Sequence, residues 1–152
     1  MDQKLQVKDV MTRDVISTEP DEAINIVADK LTKNRIHGVP VMEKGRIAGI
    51  ITETDFFTKS FPGLYLPAYI DFLKNAEFVD SGDSEHKKKV KELVNSKARD
   101  IMTSPCITVP PEMDISEFID LVKLKQLTTV PVEDKNKNLV GIITTADIIK
   151  LI

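Results

Sequence analysis

The chain has little of what marks a metal protein, a disulfide-bonded domain or a membrane protein. Its 152 residues include one cysteine, Cys106, which has no partner for an internal disulfide. Two histidines, His37 and His86, lie too far apart in the sequence for a metal-ligand spacing. No apolar run is long enough to span a bilayer. The sequence therefore predicts no metal site and no membrane partner.

The chain also has no block of charge of one sign. The net charge of −3 is spread along the chain without blocks, so there is no basic stripe of the kind that duplex nucleic acid requires. The first ten residues, MDQKLQVKDV, show neither a basic stretch before an apolar one nor a cleavage site, and the expected compartment is the cytoplasm. With 41% apolar and 30% charged residues, the composition is typical of a soluble globular protein.

The chain does contain a long internal repeat. GIITETD at 49–55 returns as GIITTAD at 141–147, and a shift of 91 residues places VKDVMTRDVISTEPDEAI over ARDIMTSPCITVPPEMDI. GVPV then lies over TVPV, and one extra residue in the loop EDKNKN aligns the two GIIT segments. Because each copy is too short to bury an apolar face alone, we expect the two to pack together as one globule.

Each copy reads as strand, helix, strand, strand, helix. DVIST and PCITV are short β-branched runs, and a helix with one apolar face follows each of them. We place Pro20 at the first position of the first helix and Gly38 at a left-handed cap after it. The predicted boundaries are 1–60 for copy 1, 61–97 for an insert and 98–152 for copy 2.

The insert has no counterpart in the repeat. It carries most of the aromatic residues and a polar helix pattern, EHKKKVKELVNS. Two interpretations stay open for it: a connection that covers the shared core, or a lid or contact surface for a partner.

Both copies end a strand with Thr-x-x-Asp, which has two interpretations. Thr52 with Asp55, and Thr144 with Asp147, resemble a capping box at a helix start, which would need no ligand. A carboxylate in that position also accepts two hydrogen bonds at once, as the 2′,3′-diol of a ribose would offer.

The segments DVMT, VIST, HGVPV and GIITETD, and in copy 2 DIMT, CITV, TTVPV and GIITTAD, resemble a tandem pair of cystathionine-β-synthase (CBS) domain motifs, the Bateman module. The resemblance covers nearly the whole chain outside the insert. It implies an α/β (α+β) fold of two β-α-β-β-α motifs packed about a pseudo-twofold axis, with a partly helical insert between them. It also implies two clefts that bind adenosine-containing ligands: AMP, ADP, ATP or S-adenosylmethionine.

The resemblance assigns residues to each cleft. In the first, Asp147 and Thr144 of copy 2 meet copy 1 at Thr12, Ile16, Ser17, His37 and Gly38. By internal symmetry the second combines Asp55 and Thr52 with Thr103, Ile107, Thr108, Thr128 and Thr129.

For phosphates the two clefts differ in sequence. Arg13, Arg35 and His37 belong to copy 1, where copy 2 has Ser104, Gln126 and Thr128. We therefore expect the Asp147 cleft to bind the more phosphorylated ligand. His37 alone has a second interpretation as an ordinary packed or surface histidine.

No catalytic motif is present: there is no G-x-x-x-x-G-K loop, no G-x-S-x-G elbow, and Cys106 reads as a buried apolar residue. The sequence predicts a non-enzyme without an obligatory cofactor, a regulatory module acting on an unknown effector protein. The alternative is a ligand-free structural dimerisation or protein-interaction module. A homodimer is expected, with Phe56, Phe57, Ile148 and Ile149 either at its interface or in the core.

Overall fold

The computed structural model describes residues 3–58 and 95–152. The expected partly helical insert falls mainly at 59–94, outside the described residues, as does the side chain of Phe57.

Residues 3–58 of copy 1 contain three helices and two strands. They are α1 (Val7–Val10), α2 (Ile24–Lys33), β1 (Gly38–Glu43), β2 (Arg46–Thr52) and α3 (Asp55–Thr58). The strands form an antiparallel hairpin with a bulge after Val41.

Copy 2 repeats this order. Its elements are α4 (Ala98–Ile101), α5 (Ile115–Lys125), β3 (Thr129–Glu133), β4 (Leu139–Thr144) and α6 (Thr145–Ile149). The second hairpin has its bulge after Val132, the position equivalent to that in copy 1. The predicted mixed helix and strand fold, in two matching copies, is confirmed.

The first strand of each copy is shorter than the sequence suggests. Only Thr18 in copy 1 and Val109 in copy 2 make a parallel bridge, to Val41 and Val132 respectively. A proline follows within two residues in both copies, and because proline has no N–H it cannot continue the ladder. The strand therefore ends after one bridged residue.

Two local predictions in copy 1 are wrong. Helix α2 begins at Ile24 and not at Pro20, because the carbonyls of Pro20 and Glu22 accept hydrogen bonds from the backbone of copy 2. The left-handed residue after α2 is Arg35, with φ 52°, and not Gly38. Gly38 instead begins β1, where a methyl group would lie 3.1 Å from Thr129 Cγ2.

The hydrophobic core has two halves, and each half contains residues of both copies. One is built from α2, β1, β2 and α3, and it includes Ala98 and Ile101 from α4 of copy 2. The other is built from copy 2, and it includes Val7 from α1 and Met11 just after it. The copies exchange their first helices, so neither core half is complete without the other copy.

The exchange is reciprocal along the backbone as well. Thr12 bridges Ile142, and the equivalent Thr103 bridges Ile50. Each bridge has hydrogen bonds in both directions, at 2.9 and 2.9 Å in the first and 2.8 and 3.0 Å in the second. Such mutual contacts between equivalent residues are the signature of twofold symmetry.

Candidate functional site

The Thr-x-x-Asp segments do cap helices, as one interpretation predicts. Thr144 precedes α6, and its backbone N–H donates to Asp147 Oδ2 at 2.9 Å while its Oγ1 accepts from the Asp147 N–H at 3.2 Å. In copy 1 the Thr52 N–H donates to Asp55 Oδ2 at 2.8 Å. In both copies the cap uses Oδ2, so the caps leave Oδ1 available for another partner.

The second carboxylate oxygen has different surroundings in the two copies. Asp147 Oδ1 lies 3.9 Å from Lys150 Nζ, a long ion-pair distance. Asp55 Oδ1 accepts a hydrogen bond from the hydroxyl of Thr103, at 3.4 Å. The carboxylate of copy 1 is thus contacted by the other copy, whereas that of copy 2 faces a cation.

A cleft of about 240 Å³ opens beside Asp147, and both copies line it. We call it the Asp147 cleft. The expected ligand-contacting residues that line it are Thr12, Ile16, Arg35, His37, Gly38, Thr144 and Asp147. Residues separated by more than 90 positions in sequence therefore meet at one site, because the copies exchange their N-terminal segments.

Two residues expected here lie elsewhere. Ser17 lines a separate polar groove, where its carbonyl accepts from Lys30 Nζ at 3.0 Å. In an extended segment, adjacent side chains point to opposite sides, so Ile16 and Ser17 cannot both face the cleft. The guanidinium of Arg13 donates to the carbonyl of Lys8 at 3.3 Å, and Arg13 does not line the cleft.

The sequence interpretation missed several lining residues. They are Asp14, Ile36, Ile142, Ala146 and Lys150. Lys150 was detectable, since it lies one helical turn after Asp147 and an i,i+3 pair shares a helix face. Asp14 had no such signal, because its place depends on how the copies cross.

Charge separates the Asp147 cleft from its symmetry-related counterpart. Five residues of its lining are charged or titratable, and four of these have equivalents in the other copy that are not. Asp14, Arg35, His37 and Lys150 correspond to Pro105, Gln126, Thr128 and Thr58.

The residues expected in a second cleft are only partly together. The backbone N–H of Thr52 and the hydroxyl of Thr103 both donate to the carboxylate of Asp55. Ile107 is 40% exposed, and Thr108 is half-buried. Thr52 and Thr128 line a groove of about 310 Å³ that also contains His37 and Thr144. We call this the axial groove, because it is lined by equivalent residues of both copies.

Thr129 lines the Asp147 cleft, although symmetry placed it with Asp55. The starts of β1 and β3 touch at the pseudo-twofold axis, where Gly38 faces Thr129. A residue on that axis lies next to both symmetry-related sites, that of Asp147 and that of Asp55. Its hydroxyl is buried and has no hydrogen-bond partner within 3–58 and 95–152, which is a costly state for a polar group.

His37 is neither packed nor isolated. Its side chain is 62% exposed, and Nδ1 lies 2.9 Å from Glu53 Oε1. His37 lines both the Asp147 cleft and the axial groove. It is therefore positioned to contact a molecule in either one.

The single thiol has the properties of an unreactive side chain. Burial, together with the negative charge of Glu133, raises the pKa of Cys106 to about 11. Since the thiolate is the nucleophile, Cys106 is almost entirely in its unreactive form at neutral pH.

Within the described ranges, no three His, Cys, Asp or Glu residues are arranged to hold a metal ion. The helices of the same ranges are all too short or too polar to cross a bilayer.

The chain belongs to the CBS domain family, whose model matches residues 7–61 and 98–152. It is a tandem CBS pair, as the repeat predicts. An uncharacterised protein of Methanocaldococcus jannaschii, MJ1426, is 29% identical over 150 residues, covering 95% of this chain and 89% of that protein.

Two solved CBS pairs have the same fold. The pair of protein MJ0100, in complex with 5′-methylthioadenosine and S-adenosyl-L-methionine, has a TM-score of 0.70 at 22% identity, over 98% of this chain and 96% of that one. CBSX2, in complex with AMP, has a TM-score of 0.69 at 19% identity, over 96% and 94%. CBSX2 is a protein of Arabidopsis thaliana.

Proposed function

We propose that the protein is a non-catalytic regulatory module that binds a 5′-phosphorylated adenosine, such as AMP, ADP or ATP, in the Asp147 cleft. In this proposal Asp147 Oδ1 accepts from the ribose diol. Ile16 packs against the base. The exposed cations of the lining, Arg35 and Lys150, form a cationic rim that faces the phosphate.

The observation that carries the proposal is the combination of one carboxylate oxygen that the helix cap does not use with a cationic rim in a cleft built by both copies. Asp147 uses Oδ2 for its helix cap and keeps Oδ1 near Lys150. A diol that binds Oδ1 would release Lys150 Nζ, which lies at a long distance from the carboxylate, toward an anion. Arg35 and His37 of copy 1 supply further donors.

The lining of the cleft suits such a ligand. Small-molecule sites are mostly apolar with a few polar groups that fix orientation. Ile16, Ile36 and Ile142 supply the apolar part here, and the hydroxyl of Thr129 is a buried group that lacks a partner among the described residues. That MJ0100 and CBSX2 hold adenosine-containing ligands supports the same class of ligand for this chain.

Regulation requires that the ligand favour one arrangement of the copies over another. The Asp147 cleft is formed by Thr12 and Ile16 of copy 1 and Asp147 of copy 2, so a ligand there links the two copies. We propose that an effector protein responds to that change in the arrangement of the two copies.

The test is calorimetric titration of AMP, ADP, ATP and S-adenosylmethionine into the wild type and two matched variants. Asp147→Asn keeps an oxygen for the helix cap but presents an amide to the cleft. Asp55→Asn makes the same change at the symmetry-related position. We expect Asp147→Asn to weaken AMP binding by about tenfold or more, and Asp55→Asn to change it by less than about threefold.

Equal losses of AMP affinity in both variants would show that the Asp147 cleft does not bind AMP in preference to the symmetry-related position of Asp55. A wild type that binds none of the four compounds would favour the ligand-free interaction module instead. A thermal shift provides a first screen, since a ligand at about 100 times its Kd stabilises by about 2.7 kcal/mol.

We also propose a homodimer that uses the surface at the end of copy 2. Ile149 is 68% exposed and Leu151 is 48% exposed, whereas Phe56 is buried and Ile148 packs against the core. Of the described residues first considered for the interface, Ile149 is the one that stays available. Light scattering of Ile149→Lys should show a smaller mass than the wild type, and an unchanged mass would count against this surface.

A further inference from the structure

The His37 and Glu53 side chains form a pair where the Asp147 cleft and the axial groove meet. Nδ1 of His37 lies 2.9 Å from Glu53 Oε1. The backbone supports this arrangement, because the N–H of Glu53 donates to the carbonyl of His37 at 3.2 Å. His37 directly precedes β1, and Glu53 directly follows β2, the strand paired with it.

The fold does not require this pair of side chains. In copy 2 the N–H of Thr145 donates to the carbonyl of Thr128 at 3.0 Å, which is the same backbone bond at the equivalent positions. The side chains there are two threonines. The His–Glu pair is therefore an addition of copy 1 on a shared backbone frame, on the side where the cationic rim lies.

The pair also fixes the state of the imidazole ring. A glutamate carboxylate only accepts hydrogen bonds, so Nδ1 must carry the proton that joins them. Nε2 then has a lone pair when the ring is neutral, and an N–H donor when the ring is protonated. A carboxylate that orients a histidine in this way is a common device in protein sites.

We propose that Glu53 is a positioning residue that holds His37 so that Nε2 donates to the phosphate of a nucleotide in the Asp147 cleft at mildly acidic pH, and loses that donor at alkaline pH. This inference rests on the proposed function and adds to it a pH-dependent preference for phosphorylated over unphosphorylated adenosine. The other charged groups that share the cleft with His37 are Asp14, Arg35, Asp147 and Lys150. Among the ordinary side-chain types, histidine is the one whose charge changes between about pH 5 and pH 8.

The test compares AMP with adenosine, each titrated calorimetrically at about pH 6 and about pH 8. The proteins are the wild type, Glu53→Gln and Glu43→Gln. Glu43 is an exposed glutamate at the opposite end of β1, so its replacement removes the same charge away from the cleft. The phosphate of AMP itself titrates near pH 6, but this contribution is the same for all three proteins.

We expect Glu53→Gln to weaken AMP binding relative to the wild type by roughly fivefold at the lower pH and by less than about twofold at the higher pH. Adenosine binding should be equal in the two proteins, and Glu43→Gln should follow the wild type throughout. An equal pH profile for wild type and Glu53→Gln would overturn the inference, as would an equal loss for adenosine.

A ligand-free measurement separates this inference from the proposed function. Nitrogen-15 NMR of the imidazoles distinguishes the two ring nitrogens, and the chain has only two histidines, so a His37→Thr variant assigns the signals. We expect a protonated Nδ1 on neutral His37 in the wild type and a mixture of tautomers in Glu53→Gln. A wild-type ring with its proton on Nε2 would refute the positioning role, whatever the titrations show. If the wild type binds neither AMP nor adenosine, the proposed function and the phosphate role of His37 fail together, while the NMR result still decides whether Glu53 sets the ring.

Discussion

Met11 of copy 1 lies directly over Gly141 of copy 2: a methyl group on Gly141 would come within 2.5 Å of Met11 Sδ. The relationship is repeated with the copies exchanged, since a methyl group on Gly49 would lie 2.9 Å from Met102 Sδ. The two repeated segments of the sequence, Met-Thr and Gly-Ile-Ile-Thr, thus contact each other across the two copies. Each copy supplies the methionine for the glycine of the other.

The two glycines should respond differently to replacement. At Gly49 the nearest atom to an added methyl group is the carbonyl oxygen of Thr103, at 2.7 Å, and that carbonyl is held by a hydrogen bond from Ile50. At Gly141 the two nearest atoms belong to the flexible side chain of Met11. We expect Gly49→Ala to destabilise the protein by about 3 kcal/mol and Gly141→Ala by about 1 to 2 kcal/mol, measured by denaturant unfolding.

A double-mutant cycle provides the control for this comparison. Met11→Ala should relieve part of the cost of Gly141→Ala, giving a coupling of about 1 kcal/mol, while Met102→Ala should relieve less of the cost of Gly49→Ala. Equal coupling in both pairs would contradict the assignment of the Gly49 clash to the backbone.

A polar cluster in copy 1 makes a prediction about acid stability. Glu22 accepts from Lys30 Nζ at 2.7 Å and from the buried Thr18 hydroxyl. Burial alone raises the pKa of Glu22, but the hydrogen bonds from Lys30 and Thr18 and the charge of Lys30 outweigh it and hold that pKa below the ordinary value of 4.5. The stabilisation is therefore complete above about pH 5 and is lost as the pH falls through the lowered pKa. Glu22→Gln should flatten the acid limb of a stability against pH curve below about pH 4.5, by no more than about 1 kcal/mol.

Copy 2 has three apolar residues at the positions equivalent to this polar cluster. Its equivalents of Thr18, Glu22 and Lys30 are Val109, Met113 and Leu121. We expect Lys30→Leu alone to destabilise the protein, because it leaves Glu22 without its cation. The triple variant Thr18→Val, Glu22→Met, Lys30→Leu should unfold at a denaturant concentration equal to or above that of the wild type. A triple variant less stable than Lys30→Leu would show that the cluster is needed as a whole.

The residues with left-handed backbone that follow α2 and α5 offer sites for stabilisation. Gln126 ends α5 with φ 53°, a conformation in which a side chain is strained and glycine is not. Gln126→Gly should raise the free energy of unfolding by about 0.5 to 1 kcal/mol. As the control, Lys123→Gly within α5 should lower it by about 1 kcal/mol. Arg35→Gly, at the equivalent position of copy 1, should gain similar stability but lose AMP affinity, which thermal unfolding and titration together would reveal.

Thiol chemistry tests the environment of Cys106. Because burial, together with the charge of Glu133, raises the pKa of Cys106 to about 11, the thiolate is scarce at pH 8. Alkylation by iodoacetamide should be roughly a hundredfold slower than for a free thiol at that pH, and it should increase with pH without levelling off up to about pH 10. Unfolding the protein in urea should restore the ordinary rate. A fast reaction of the folded protein would show that the thiol is more accessible than its surroundings imply.

Features that depend on residues close together in the sequence were predictable from it. The apolar spacing of Ile24, Val27 and Leu31 placed α2 against the core, and the capping pairs at Thr144 and Asp147 were recognisable from four consecutive residues. The first strands were overestimated, because short β-branched runs do not reveal that the prolines after Thr18 and Val109 end the pairing at one bridge.

The sequence by itself determined that the protein is a duplication and that a helix, two strands and a helix follow one another in each copy, while the family resemblance predicted that Asp147 of copy 2 lies beside residues of copy 1. Only the tertiary structure decided that α1 and α4 change places between the core halves, that Thr129 borders the Asp147 cleft, and that Glu53 holds His37. The physical reason is that periodicity and capping act over a few residues, whereas these contacts depend on how two similar halves cross at their shared axis. Residues on that axis, such as Gly38 and Thr129, have neighbours that no local pattern specifies.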